Sequence, residues 1–105
     1  MPTSELQLKR LYNKFNDLYW AGELPNDISL IYEPVAAFAD CQRLEDGTFV
    51  IRINPAISHY ADFVKLTLLH EMCHVKLWDK TTRHGTTFDV EIQRLMSYKS
   101  IRKLI

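Results

Sequence analysis

The apolar positions of the chain change period twice. Leu8, Leu11, Tyr12, Phe15, Leu18 and Tyr19 recur at three- and four-residue intervals, the spacing of one face of an α-helix. A capping residue, Thr3 or Ser4, precedes the run, and Gly22 and Pro25 close it. Between Ile28 and Asn54 the period shortens. ISLIYE, VAAFAD, CQRLE and TFVIRIN read as short strands, with Asp46-Gly47 at a tight hairpin turn and Pro34 at an interruption or an edge. Phe49, Ile51 and Ile53 alternate with Thr48, Val50, Arg52 and Asn54, which predicts one buried face and one wetter face.

Pro55 ends the last strand, and a helical pattern returns from about Ser58 to Trp78. DKTTRHG, residues 79–85, reads as a loop. A third helix starts at Thr86 or Thr87, with Thr86 and Asp89 as a capping pair and Phe88, Ile92, Leu95 and Met96 on one side. The order helix, small antiparallel sheet, helix, helix predicts an α+β fold. At 105 residues the chain is long enough for one core and one domain spanning residues 1–105, and too short for two.

Composition narrows the class. Hydrophobic residues at 47% and charged residues at 25% fit a soluble globular protein and exclude a disordered one. The formal net charge is zero, so the whole chain has no polycation signature for nucleic acid. The charge is uneven, however: residues 1–75 carry 6 Lys and Arg against 10 Asp and Glu, and residues 76–105 carry 7 against 3. The basic end, with Arg94, Lys99, Arg102 and Lys103, reads first as a solvated helix face and second as a weak phosphate-binding surface. No apolar run resembles a signal peptide or reaches the ~20 residues of a membrane span. Cys41 and Cys73 form no CxxC pair. A cytoplasmic protein with reduced thiols and no membrane partner is the expectation.

The candidate chemistry lies in LLHEMCHVKLWDKTTRHGTTF, residues 68–88. Positions four apart on a helix differ by ~40° and one turn, so His70 and His74 point the same way, and one zinc ion bridges two such imidazoles at ~2.0–2.1 Å. Glu71 is poorly aligned to chelate beside both but well placed to reach a water on the metal, as the general base of a peptide-bond hydrolysis. The competing reading is a helix with two partly buried, hydrogen-bonded histidines. A catalytic zinc needs three protein ligands. His84 is the leading candidate for the third, beyond the polar loop and next to Gly85, where the backbone turns. Glu91, seventeen residues after His74, is the rival, and Asp89 a weaker one. His59 shares the face of His70 but lies ~16 Å away along the axis, too far for the same ion. Cys73 reads as a buried small residue, and Cys41 as a remote candidate for a latency ligand.

These residues resemble the SprT-like zinc metalloproteases, the group that includes the Spartan protease domain, and are also similar to the compact minigluzincins. LYNKFNDLYWAGELP resembles the family's opening helix, FVIRINP the strand before the active-site helix, LLHEMCHVKLW that helix, and HGTTF the His-Gly-x-x-Phe element. The resemblance implies a zincin-like fold and a zinc-dependent endopeptidase with one zinc per chain. His70, His74 and His84 would be the ligands and Glu71 the base, acting on a protein or peptide substrate. In such peptidases an extended substrate commonly joins a sheet edge, here from the 36–53 region. The Spartan branch further implies DNA-associated substrates. Minigluzincins imply instead a latent form, with SYKSIRKLI folded over the cleft. A DNA-associated module with structural zinc is the third reading.

Overall fold

The computed structural model describes residues 3–105. Helix α1 spans Glu5–Trp20 and opens with a complete capping box: Ser4 Oγ accepts from the Gln7 amide at 3.1 Å, and Gln7 Oε1 accepts from the Ser4 amide at 2.7 Å. It closes through Ala21 and Gly22, both with positive φ, and Gly22 takes the left-handed conformation at no steric cost. Leu8, Tyr12, Phe15 and Tyr19 face the core as their spacing predicts, joined by Trp20 and Asn16, while Leu18 faces solvent.

Three strands follow: β1 (Ile28–Tyr32), β2 (Ala39–Arg43) and β3 (Phe49–Ile53), in the spatial order β1-β3-β2. The predicted antiparallel sheet is in fact mixed, because β1 runs parallel to the central strand β3 and only β2 is antiparallel to it. A parallel pair needs a long connection, and here residues 33–48 supply it by carrying β2 to the far side of β3. Alternation within a strand reports which face is buried and is silent about strand order. The segments VAAFAD and CQRLE contribute one strand between them, since Pro34 and the residues after it form a loop until Ala39. The hairpin joining β2 to β3 closes on Gly47, which alone in the turn has positive φ, and Asp46 Oδ1 accepts from the amide and hydroxyl of Thr48 at 3.0 and 2.7 Å.

A 3-10 turn, Pro55–Ile57, intervenes before helix α2 (Ala61–Leu77), which therefore starts three residues later than its pattern implies. Asn54 caps that turn by accepting from the Ala56 amide at 3.0 Å. Helix α3 (Thr86–Met96) has Gly85 at its N-cap and no side-chain capping bond, so the expected Thr86–Asp89 pair does not form: Thr86 is already inside the helix. A short helix α4 (Lys99–Arg102), which the pattern does not reveal, ends the chain. Helix α1 packs on β1, and α2 packs on β2 and β3 and against α3. Val64, Leu68, Met72 and Cys73 of α2 meet Ile51 and Ile53 of β3 in the centre of the core.

Asn16 ties the exit of α1 to the turn beyond it: its Nδ2 donates to the Leu24 carbonyl at 3.1 Å and its Oδ1 accepts from the Leu24 amide at 3.0 Å, all buried. Asn16→Ala strands two buried backbone groups and should destabilise the protein by about 2–4 kcal/mol in urea unfolding. A loss below about 0.5 kcal/mol would show that this link carries no stability.

Candidate metal centre

The histidines come together because α2 is nearly enclosed. Its apolar residues fill most of the circumference, leaving a strip of Phe63, Leu66, Thr67, His70, Glu71, His74 and Trp78 against a cleft of about 590 Å³. The opposite wall is Ala37–Cys41, the start of β2 and the loop before it, and Thr82 and His84 close the end nearest α3. His84 reaches the cleft from the loop between α2 and α3. Its Nε2 stands 3.1 Å from His70 Nε2 and 2.9 Å from His74 Nε2, and one ring nitrogen from each of the three lies within 4.8 Å of the others.

Phe88 supplies what holds the three rings in register. It is buried in the first turn of α3, stacked on His74 at 4.5 Å between centroids, 4.7 Å from His84 and 5.0 Å from His70. The hydrophobic pattern marks Phe88 as one apolar position of α3, and the resemblance includes it as the Phe of the His-Gly-x-x-Phe element without giving it a role. Its three-residue separation from Gly85 puts it one turn into the helix, under the loop that carries His84, and that offset is the signal by which it can be found.

Burial, and after it the neighbouring imidazole of His84, holds His70 below the usual histidine range. Burial, then His70 and His84, lowers His74 to about 4. Near neutral pH both rings are thus uncharged, the form in which imidazole binds a metal. Hydrogen bonding does not satisfy the cluster. The single Nε2 of His84 carries either a proton to give or a lone pair to receive one, yet two ring nitrogens face it. A cation among the three satisfies all of them, and a tetrahedral zinc at ~2.0–2.1 Å from each would set the nitrogens ~3.3–3.4 Å apart, close to the spacing found. The residues fit a metal ion.

Glu71 lies on the same strip, nine-tenths or more buried, and lines the cleft beside the three rings. Burial, and secondarily Asp40 across the cleft, pushes its carboxyl up to about 7. Cys41 lines the cleft as well, but burial, with Glu71 and Asp40, pushes its thiol up to about 12, and it is outside the histidine cluster. Cys73 is fully buried in the core, and neither cysteine is in a disulfide.

The rival ligands are elsewhere. Glu91 accepts from Trp20 Nε1 at 3.1 Å and from Arg94 Nε at 2.6 Å, on the wall of a separate cavity of about 410 Å³ between α1 and α3. Asp89 and His59 are exposed and take no part in the cluster. The C-terminal segment does not lie over the cleft. Tyr98 packs edge-on against Tyr19 at 4.8 Å and Ser100 hydrogen bonds the Tyr19 hydroxyl at 2.7 Å, both on the α1 side, and Ile101 is buried. No helix among the described residues is long and apolar enough to cross a membrane.

Comparison with known proteins agrees with this architecture. The family model described as the SprT-like family matches residues 8–103. Among solved structures, the crystal structure of the metallopeptidase zymogen of Methanocaldococcus jannaschii jannalysin superposes with a TM-score of 0.60 at 21% identity, covering 93% of this chain and 97% of that one. The fold is therefore shared with a metallopeptidase. A search of curated proteins finds no match.

The burial of Glu71 makes a prediction for protein stripped of metal by a chelator. Its folded value of about 7 lies above its ordinary 4.5, so its contribution to stability is complete below pH 4.5 and is lost as pH rises to 7. Glu71→Gln removes the ionisation while His74 titrates identically in both proteins. In urea unfolding the variant should gain stability over wild type between pH 4.5 and pH 8, on the order of 2–3 kcal/mol. An equal difference at both pH values would show that the carboxyl is not held in its neutral form.

Proposed function

The chain belongs to the SprT-like family, and on that footing we propose that it is a zinc-dependent metalloendopeptidase. The observation that carries the proposal is the convergence of the His70, His74 and His84 ring nitrogens, with the Glu71 carboxyl beside them in one cleft. These three residues would hold one zinc per chain. When bound, the ion supplies Lewis acidity, which polarises a peptide carbonyl and lowers the pKa of a coordinated water.

The chain's own residues do the rest. Glu71 takes a proton from the attacking water and delivers it to the departing amine, so that the carboxylate is regenerated and the proton count closes. A cation among the histidines favours the ionised form of Glu71, opposing the burial that raises it, and leaves the group basic near neutral pH. Phe88, packed against all three imidazoles, keeps them in position and excludes bulk water from that side.

The sheet edge favours an extended peptide as substrate. The Leu44 amide donates to Thr48 and the Asn54 amide to Phe38, and the register between them places Asp40 and Gln42 in hydrogen-bonded pairs with β3. By alternation the backbone groups of Ala39, Cys41 and Arg43 point away from β3, and β2 has no other neighbour in the sheet. An extended peptide laid along β2 finds those donors and acceptors and brings its carbonyls past the histidines.

Two measurements on zinc-loaded protein test the proposal. Glu71→Gln should keep one zinc per chain and lose at least ~10²-fold of the rate on a denatured protein substrate. Unchanged activity would refute Glu71 as the base. His84→Ala should lose zinc at concentrations where Glu91→Ala, once folded, retains it. The opposite result would move the third ligand to Glu91.

A further inference from the structure

Beyond the reacting centre, the cleft ends in an exposed aromatic pair with no role in holding the histidines. Phe38, from the loop entering β2, and Phe63, from the first turn of α2, meet edge-to-face at 4.8 Å between centroids. Phe38 is 59% exposed and Phe63 37%, and Ala37 and Leu66 border them on the cleft wall. Two large apolar rings, in contact and open to water beside a candidate catalytic site, are surface that a ligand can desolvate.

The spacing says which part of a ligand reaches them. Phe63 precedes His70 by seven residues, two helical turns, so it lies on the same side of α2 and ~10.5 Å along the axis. β2 runs alongside: Phe38 meets Phe63 near the start of α2, while Arg43 pairs with Asp79 just past its end at 2.9 Å. An extended chain advances ~3.3 Å per residue, so ~10.5 Å corresponds to about three residues. The opposite end of the cleft differs: Trp78 is packed on Phe49 at 5.5 Å and only partly exposed, so it offers less open apolar surface.

We infer that Phe38 and Phe63 form a specificity subsite for a bulky apolar side chain about three residues to one side of the cleaved bond. The inference rests on the peptidase reading and adds a substrate class to it: extended peptides with Leu, Phe or a similar residue at that distance. Asp40 borders the neighbouring wall but is paired with Arg52, which also pairs with Glu33 at 3.0 Å, so its charge is partly neutralised there.

The test compares fluorescein-labelled decapeptides identical except for Leu or Ala at the third position on each side of the scissile bond. With zinc-loaded wild type, Leu on one side should raise kcat/KM about tenfold or more over Ala, the factor expected for burying one large apolar side chain. The double variant Phe38→Ala, Phe63→Ala changes only exposed residues and should retain zinc. It should lose the Leu preference and leave the slower rate on the Ala peptide in place. An equal loss on both peptides, or a preference that survives the double variant, would overturn the subsite. Binding of the same peptides to zinc-loaded Glu71→Gln, read by fluorescence anisotropy, separates the inference from the reading beneath it. A Leu preference there that the double variant abolishes supports the subsite even if wild type cleaves nothing, and the catalytic reading alone then falls. Absence of any Leu preference in binding and cleavage overturns the subsite.

Discussion

Val64, Leu68, Leu69, Met72, Cys73, Val75 and Leu77 bury α2 around most of its circumference, against the sheet, α1 and α3. A helix so enclosed has one polar strip facing the cleft, and His70, Glu71 and His74 occupy it, while Lys65 and Lys76 lie on the other side, where Lys76 pairs with Glu23. Much else in the molecule depends on that enclosure. It fixes the direction of two imidazoles without dedicated hydrogen bonds, and it withdraws Glu71 from water enough to raise its pKa. It also leaves β2 as the facing wall of the cleft. Replacing a core residue of α2 would therefore disturb geometry and electrostatics together.

The third histidine is held differently. His84 sits in an exposed loop, and its place depends on Phe88, whose ring touches all three imidazoles from beneath. Helix α3 is anchored in turn at its far side, where buried Glu91 accepts from Trp20 and Arg94. A carboxylate at the spacing of a metal ligand thus serves as a structural clamp. Its charge is met by a guanidinium and an indole N–H, which explains why its pKa falls below the usual carboxylate range despite burial.

Much of this was legible in the sequence, because the informative signals were local. The helical period of Leu8 to Tyr19 and the alternation of Phe49, Ile51 and Ile53 each report burial of one face, and the offset of His70 from His74 is a property of the helix itself. What the sequence did not carry was pairing between segments. Nothing in ISLIYE distinguishes a parallel partner from an antiparallel one, so the mixed sheet was missed, as was the merging of VAAFAD with CQRLE into one strand. Spacing likewise does not tell which of His84 and Glu91 faces the cleft, because that depends on how α3 rotates about its axis. Phe88 and the Trp20–Glu91 contact set that rotation, and both are tertiary. The SYKSIRKLI segment has too few apolar positions for its docking site to be read from pattern, and only the structure puts Tyr98 and Ser100 on the α1 side.

The central claim is that one metal ion sits among three imidazoles. X-ray absorption at the zinc edge of the zinc-loaded protein tests it most directly, because it reports the number and type of atoms bound to the ion. The account predicts three nitrogen scatterers at ~2.0–2.1 Å, with the outer-shell pattern of imidazole rings, and one further light atom. A sulfur scatterer at ~2.3 Å would place a cysteine on the metal, and fewer than three imidazoles would remove His84 from it. Either result would contradict the account.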